Sequence, residues 1–182
     1  MLVKIFWDVD AAEGMGRPVA KEIADILQMD IELDESPVML TGFNRHRKQF
    51  DAGQILERIQ LYKKGHRIRE PVLLVTGKDL FIKGSDFVYG LAKEAFGAAV
   101  VSTARMQDEF YQRRTDLHAL CMRTATEGAH EIGHLFGLSH CPDISCVMFA
   151  PENRDQLDRK SIFLCRECRS KLESAISSSH PE

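Results

Sequence analysis

The chain has 182 residues, of which 44% are hydrophobic and 28% are charged, and its formal net charge is −3. This length suits one domain with a buried core, and the composition excludes disordered and fibrous classes of protein. Nucleic acid is not expected as the main partner, because binding to phosphates usually needs an excess of basic residues. The N-terminus lacks the basic start and the long apolar run of a signal peptide, and no segment has the ~20 apolar residues that span a bilayer. We therefore expect a soluble, cytoplasmic, monomeric protein with no membrane partner.

Alternating strands and helices are predicted in the N-terminal part of the chain. Strands are expected at residues 2–7, 31–33 and 71–76, and helices at 19–27 and 51–64. The third of these strands is continuously apolar, which is typical of a strand buried on both faces. Strands that alternate with helices indicate an α/β fold with a largely parallel sheet.

The C-terminal part combines two further strands with a long helix. Strands are expected at 87–89 and 98–103, and a helix at about 108–136, where apolar residues recur with helical spacing. Gly137 predicts the end of this helix, because glycine readily takes the positive φ of a helix C-cap. A loop-like region follows, and a last helix is expected near 165–176.

The most informative segment reads His-Glu-Ile-Gly-His-Leu-Phe-Gly-Leu-Ser-His and begins at residue 130. Residues four apart lie on one face of a helix, so the imidazoles of His130 and His134 can bind one metal ion. Gly137 permits the chain to turn back, and His140 then supplies a third nitrogen. Three neutral ligands leave a fourth position for water, which distinguishes a catalytic zinc site from a closed structural one.

Glu131 directly follows the first histidine, so its carboxylate is expected beside the metal and not on it. Zinc would lower the pKa of water to about 7 and polarise the scissile carbonyl. Glu131 would then take the proton of the attacking water and deliver it to the leaving amine. Two histidines on a helix can simply be surface residues, but the added glycine and third histidine favour a metal site.

Four cysteines follow the third histidine with the spacing of a second metal site. Cys141 and Cys146 form a C-x4-C pair, and after an 18-residue connection Cys165 and Cys168 form a C-x-x-C pair. Two disulfides are disfavoured in a reducing compartment, and a redox-active pair would leave the other pair without a role. We predict a structural zinc ion held by four thiolates, and hence two zinc ions per chain. Cys121 is interpreted as a small buried apolar residue.

The complete pattern, His-Glu-x-x-His-x-x-Gly-x-x-His-Cys-x4-Cys-x-Met followed by Cys-x-x-Cys, is similar to that of the archaemetzincins, a family of metzincin zinc peptidases. The resemblance implies a twisted, mostly parallel sheet of about five strands with an antiparallel edge strand. It also implies a long active-site helix and a zinc-stapled C-terminal helical lobe. One peptidase domain, 1–182, would then consist of an N-terminal lobe at 1–137 and a C-terminal lobe at 138–182.

The same resemblance assigns further residues. Metzincins carry a methionine beneath the metal in a tight turn, and Met148, eight residues after the third histidine, is the candidate. Their edge strand pairs with the substrate backbone, and by that analogy Val100, Val101, Ser102 and Thr103 would line the cleft. Several metzincins also place a tyrosine two residues after the methionine, where this chain has alanine, so the oxyanion stabiliser is unassigned.

The resemblance implies a peptide or protein substrate. It also implies that the enzyme acts as an aminopeptidase-like hydrolase or as a hydrolase of small peptides. A second hypothesis is a non-catalytic zinc-binding interaction module with a vestigial peptidase site. Glu131 argues against this module, because a purely structural site has no use for that carboxylate.

Overall fold

The computed structural model describes residues 1–178. Its strands are β1 (Leu2–Trp7), β2 (Asp30–Glu35), β3 (Phe43–Asn44), β4 (Gln49–Asp51), β5 (Val72–Thr76), β6 (Leu80–Phe81), β7 (Gly90–Lys93) and β8 (Ala98–Ser102). Its α-helices are α1 (Gly16–Leu27), α2 (Ala52–His66), α3 (Leu117–Leu135), α4 (Arg154–Arg159) and α5 (Arg166–Ser178). Within the described residues, no helix combines the length and the apolar character that crossing a bilayer requires.

A five-stranded sheet in the order β2-β1-β5-β8-β7 organises the molecule. Its first four strands are mutually parallel, and β7 pairs antiparallel with β8 at one edge. All five residues of β5 and all five of β8 are buried, as expected for strands covered on both faces. The predicted α/β fold, with a mostly parallel sheet of five strands and an antiparallel edge strand, is confirmed.

Helices cover both faces of this sheet. Along β5, Leu73 and Val75 point into a core shared with α1 and α3, whereas Val72 and Leu74 point into a second core shared with α2. The long helix α3 therefore lies directly against the central strands. The carboxylate of Asp51 accepts hydrogen bonds from two backbone N–H groups of the first turn of α2 and caps that helix.

A second, small sheet in the order β3-β4-β6 was not predicted. Next to it, the guanidinium group of Arg47 donates hydrogen bonds to the carbonyl oxygens of Ser85 (2.8 Å) and Asp86 (2.7 Å). Gln49 donates a further hydrogen bond of 3.0 Å to the carbonyl oxygen of Asp86. These bonds fix the segment that leads into β7.

Two predicted elements differ from the structure. The strand expected at 87–89 lies instead at Gly90–Lys93, and Val88 forms only an isolated bridge with Leu80. The helix expected from about residue 108 begins at Leu117, because Asp116 caps it by accepting a hydrogen bond from the N–H of Ala119. The segment before it is a 3₁₀ turn and irregular backbone, and α4 occupies part of the predicted loop.

The expected position of the edge strand is also wrong. Val100, Val101 and Ser102 belong to β8, which is paired on one side with β5 and on the other with β7, and Thr103 directly follows. All four residues are buried. The antiparallel edge strand is β7, and the residues named from the resemblance do not lie at an edge of the sheet.

Candidate metal centre

Helix α3 and the segment after it bring three imidazoles together. The Nε2 atoms of His130 and His134 are 3.0 Å apart, and the three ring centroids, including that of His140, are 4.6–5.3 Å apart. One ring nitrogen of each histidine lies within 4.8 Å of those of the other two. Two nitrogens bound to one tetrahedral zinc ion at ~2.0–2.1 Å would be about 3.3 Å apart. The three side chains therefore fit a single zinc ion.

Backbone carbonyl groups orient two of these rings. The Nδ1 atom of His130 is 2.9 Å from the carbonyl oxygen of Val147, and that of His134 is 2.7 Å from the carbonyl oxygen of Leu138. An Nδ1–H group that donates to a carbonyl leaves Nε2 as the metal-binding atom. Burial lowers the pKa of His130 to about 4 and also lowers the pKa of His134, so both rings are neutral at pH 7, as metal binding requires.

The chain turns back immediately after α3. Gly137 has a φ of 77°, in the left-handed region that glycine adopts without strain. Its N–H donates to the carbonyl oxygen of His134 (3.1 Å), and the N–H of Leu138 donates to that of Gly133 (3.1 Å). This C-cap is the one predicted for Gly137, and it brings His140 back toward the helix.

Met148 lies against the active-site helix at Gly133. It is fully buried, and a β-carbon added to Gly133 would be only 2.5 Å from its Sδ atom. The N–H of Phe149 donates to the carbonyl oxygen of Cys146 (2.9 Å), which closes a tight turn around the methionine. The N–H of Cys141 donates to the carbonyl oxygen of Met148 (2.9 Å), so this turn is tied to the residue that follows the third histidine.

Glu131 lines a cavity of about 440 Å³ beside the three histidines. A β-carbon added to Gly90, the first residue of β7, would be 2.5 Å from Oε1 of Glu131, so the carboxylate packs on the backbone of the edge strand. Its Oε2 atom is buried and has no hydrogen-bond partner within residues 1–178. Burial, reinforced by the nearby carboxylate of Glu127, raises the pKa of Glu131 well above its usual range. The cavity is also lined by two loop segments, 85–89 and 150–152.

The four cysteines named from the spacing form a second cluster. Their sulfur atoms lie within 4.8 Å of one another, and those of Cys141 and Cys165 are 3.9 Å apart. Four thiolates at ~2.3 Å from one zinc ion would be about 3.8 Å apart, whereas a disulfide needs about 2.05 Å. The sulfur of Cys146 also accepts hydrogen bonds from the N–H groups of Met148 (3.5 Å) and Cys165 (3.3 Å). Cys121 is a buried free cysteine in the main core.

Comparison with known proteins identifies a peptidase family. The family model described as peptidase family M54 matches residues 38–174. The chain belongs to this family. Archaemetzincin from Thermococcus kodakarensis is 40% identical over 77% of this chain and 74% of its own length. Archaemetzincin from Saccharolobus solfataricus is 34% identical over 81% of this chain and 79% of its own length.

Solved structures resemble this M54 peptidase in fold. The zinc-dependent peptidase from Methanocorpusculum labreanum has a TM-score of 0.89 and 39% identity, and the match covers 93% of this chain and 99% of that one. Archaemetzincin from Methanopyrus kandleri has a TM-score of 0.83 and 26% identity, over 97% and 96% of the two chains. The protein is a zinc metallopeptidase of the archaemetzincin type, and none of these relatives favours the non-catalytic module.

Two residues of the M54 centre were not recognised in the sequence. Glu127 lies one helical turn before Glu131 and lines the same cavity. Lys160, which directly follows α4, places its Nζ atom 3.2 Å from Oε2 of Glu127 and 3.1 Å from Nδ1 of His130. Burial is the largest single influence and would raise the pKa of Glu127, but the charge and hydrogen bond of Lys160, together with the neighbouring histidines, outweigh it, and the pKa is lowered. Helical spacing could have indicated Glu127, but no sequence signal connects Lys160 with residues so far before it.

Proposed function

We propose that His130, His134 and His140 bind a catalytic zinc ion and that Glu131 is the general base for hydrolysis of a peptide bond. The observation that carries this proposal is the convergence of three imidazoles beside a cavity lined by Glu131, whose buried Oε2 atom has no hydrogen-bond partner in the described part of the chain. A zinc ion there supplies Lewis acidity, which lowers the pKa of water to about 7, polarises the scissile carbonyl and favours the ionised carboxylate.

The residues of the chain perform the proton transfers. Glu131 accepts a proton from the attacking water and donates it to the nitrogen of the leaving amine. Gly90 supports this role, because its missing side chain lets the carboxylate lie against β7. The carbonyl groups that bind Nδ1 of His130 and His134 keep the rings in place during the reaction.

The substrate proposal follows from the position of β7. Its first residue, Gly90, lines the cavity, and one side of this strand is the edge of the sheet. We propose that a peptide or protein substrate pairs with β7, which corrects the placement taken from the resemblance. Aminopeptidase-like cleavage, a cytoplasmic location, a monomeric state and the division into lobes at 1–137 and 138–182 stay predictions.

The test of the catalytic proposal is Glu131→Ala in zinc-loaded protein. Loss of the general base should lower kcat by about 10²–10⁴-fold, whereas zinc content and Tm should stay close to those of the wild type. A peptide library identifies a substrate, and Glu173→Ala, at an exposed position of α5, is the control. Unchanged turnover in Glu131→Ala would remove the general-base assignment, and a zinc-loaded wild type that cleaves no peptide would favour the non-catalytic module.

We also propose that Cys141, Cys146, Cys165 and Cys168 bind a structural zinc ion, which makes two zinc ions per chain. The distance of 3.9 Å between the sulfurs of Cys141 and Cys165 supports this assignment. Cys165→Ser should lower the zinc content by one ion and lower Tm with it, because metal binding contributes to folding. Cys121→Ala should keep both ions, since Cys121 lies outside the cluster. Unchanged zinc and Tm in Cys165→Ser would show that these thiols do not form a metal site.

A further inference from the structure

A fully buried lysine lies beside the three histidines, and the proposed reaction does not use it. The side chain of Lys160 is 0% exposed. Its Nζ atom donates a hydrogen bond of 3.2 Å to Oε2 of Glu127 and lies 3.1 Å from Nδ1 of His130, which itself donates to the carbonyl oxygen of Val147. Removing an ammonium group from water is costly unless its charge is compensated, so a lysine at this position requires a physical reason.

The groups around the lysine resemble a metal site. Glu127, His130 and Glu131 are all buried, and each offers a ligand atom within 4.8 Å of the other two. Oε2 of Glu131 has no partner within the described residues. Carboxylate oxygens and imidazole nitrogens are suitable ligands for a divalent ion such as zinc. The ammonium group of Lys160 therefore lies where these groups would otherwise hold a cation.

The lysine is held in place from outside the cluster. It follows α4, whose Asp158 forms an ion pair with Arg123 on α3, with Nη2 and Oδ2 3.1 Å apart. At the start of the same helix, the buried guanidinium group of Arg154 forms an ion pair with Asp108. These pairs attach α4 to α3 and to the segment before it, so the ammonium group is a fixed charge at the metal centre.

We propose that the ammonium group of Lys160 takes the place of a second cation beside the catalytic centre. It neutralises Glu127, and it prevents a divalent ion from binding Glu127 and Glu131 together. An ion held there would occupy the general base and would lie next to His130, a ligand of the catalytic zinc. The inference rests on the roles proposed for His130 and Glu131, and it adds a reason why no second ion would bind beside them.

The experiment compares the zinc content of Lys160→Ala and wild-type protein. Each protein is equilibrated with excess zinc, freed of unbound ions by gel filtration and analysed by mass spectrometry of the metal. Lys160→Ala should hold one zinc ion more than the wild type, and its Tm should rise with zinc concentration more steeply. The double variant Glu127→Gln/Lys160→Ala should hold the same number of ions as the wild type, because it lacks the carboxylate. Lys171→Ala, at an exposed lysine of α5, is the matched control.

Several results would overturn the inference. One is a folded Lys160→Ala protein with no more zinc than the wild type. Another is a variant that stays unfolded at every zinc concentration, because then no ion takes the place of the ammonium group. An extra ion in the double variant would show that Glu127 is not a ligand. The inference about Lys160 is tested by the difference in zinc ions per chain between the variant and the wild type. The proposed function is tested by the number of zinc ions in the wild type and by the activity of Glu131→Ala. The two proposals can therefore fail separately.

Discussion

Replacing Gly90 with alanine tests how closely the edge strand holds the general base. The new β-carbon would be 2.5 Å from Oε1, 2.7 Å from Cγ and 2.8 Å from Cδ of Glu131. Reaching an ordinary contact of 3.4 Å requires a movement of about 0.9 Å. Strand β7 is held by its pairing with β8, so we expect the carboxylate to move. A misplacement of about 1 Å can lower a rate by about 100-fold, which corresponds to ~2.7 kcal/mol in the activation free energy.

The assay measures kcat/KM for a peptide substrate together with zinc content and Tm. For Gly90→Ala, kcat/KM should fall by about 100-fold, mainly through kcat, while zinc content stays unchanged because the histidines are not displaced. Gly65→Ala is the matched control, since a β-carbon at that helical position meets no atom within 4 Å. Wild-type activity in Gly90→Ala would refute the reasoning, and so would an equal loss in Gly65→Ala.

Two further predictions concern stability. Gly133→Ala would place a β-carbon 2.5 Å from Sδ of Met148, and the cost of this overpacking should exceed the gain in helix propensity. The free energy of unfolding should therefore fall by about 1–2 kcal/mol, and Tm in thermal unfolding should fall by roughly 2–8 °C. An unchanged Tm would contradict this prediction. Burial lowers the pKa of Lys63 from 10.5 to about 8. Above about pH 8 the unfolded chain therefore retains a proton that the folded chain has lost. The free energy of unfolding should rise toward pH 10 as a result. The assay is urea unfolding of the wild type and of Lys63→Met at about pH 7 and about pH 10. Between these pH values the wild type should gain unfolding free energy relative to the variant. Parallel pH profiles of the two proteins would argue against this assignment.

The metal centre could be anticipated from the sequence because its geometry is mostly local. His130 and His134 are one helical turn apart, and Gly137 supplies a turn that few other residues allow. The spacing of the cysteines gave the second cluster in the same way. The central strand β5 was also predictable, since a short, continuously apolar run indicates a strand buried on both faces.

The edge strand was misplaced because a run of residues with the pattern of a central strand was taken for the edge of the sheet. Four of the five residues of β8 are apolar and all five are buried, which is the pattern of a central strand, yet the analogy placed the edge there. The true edge strand β7 reads Gly-Leu-Ala-Lys, and none of its residues is fully buried. A half-exposed strand of four residues has little hydrophobic pattern, so its position depends on pairing with β8 and not on its own composition.

The ion pairs around α4 were beyond sequence analysis for a different reason. Asp108, Arg123, Arg154 and Asp158 have ordinary charged side chains, and only the folded chain shows that Asp108 and both arginines are buried. Their contribution is to hold α4, and with it Lys160, against the active-site helix. Cys146 acts similarly on the segment that carries His140. Its sulfur accepts a hydrogen bond from the N–H of Met148, and the carbonyl oxygen of Met148 accepts one from the N–H of Cys141, which follows His140. The short motif therefore supplies the ligands, whereas distant residues of the C-terminal segment determine how firmly the ligands are held.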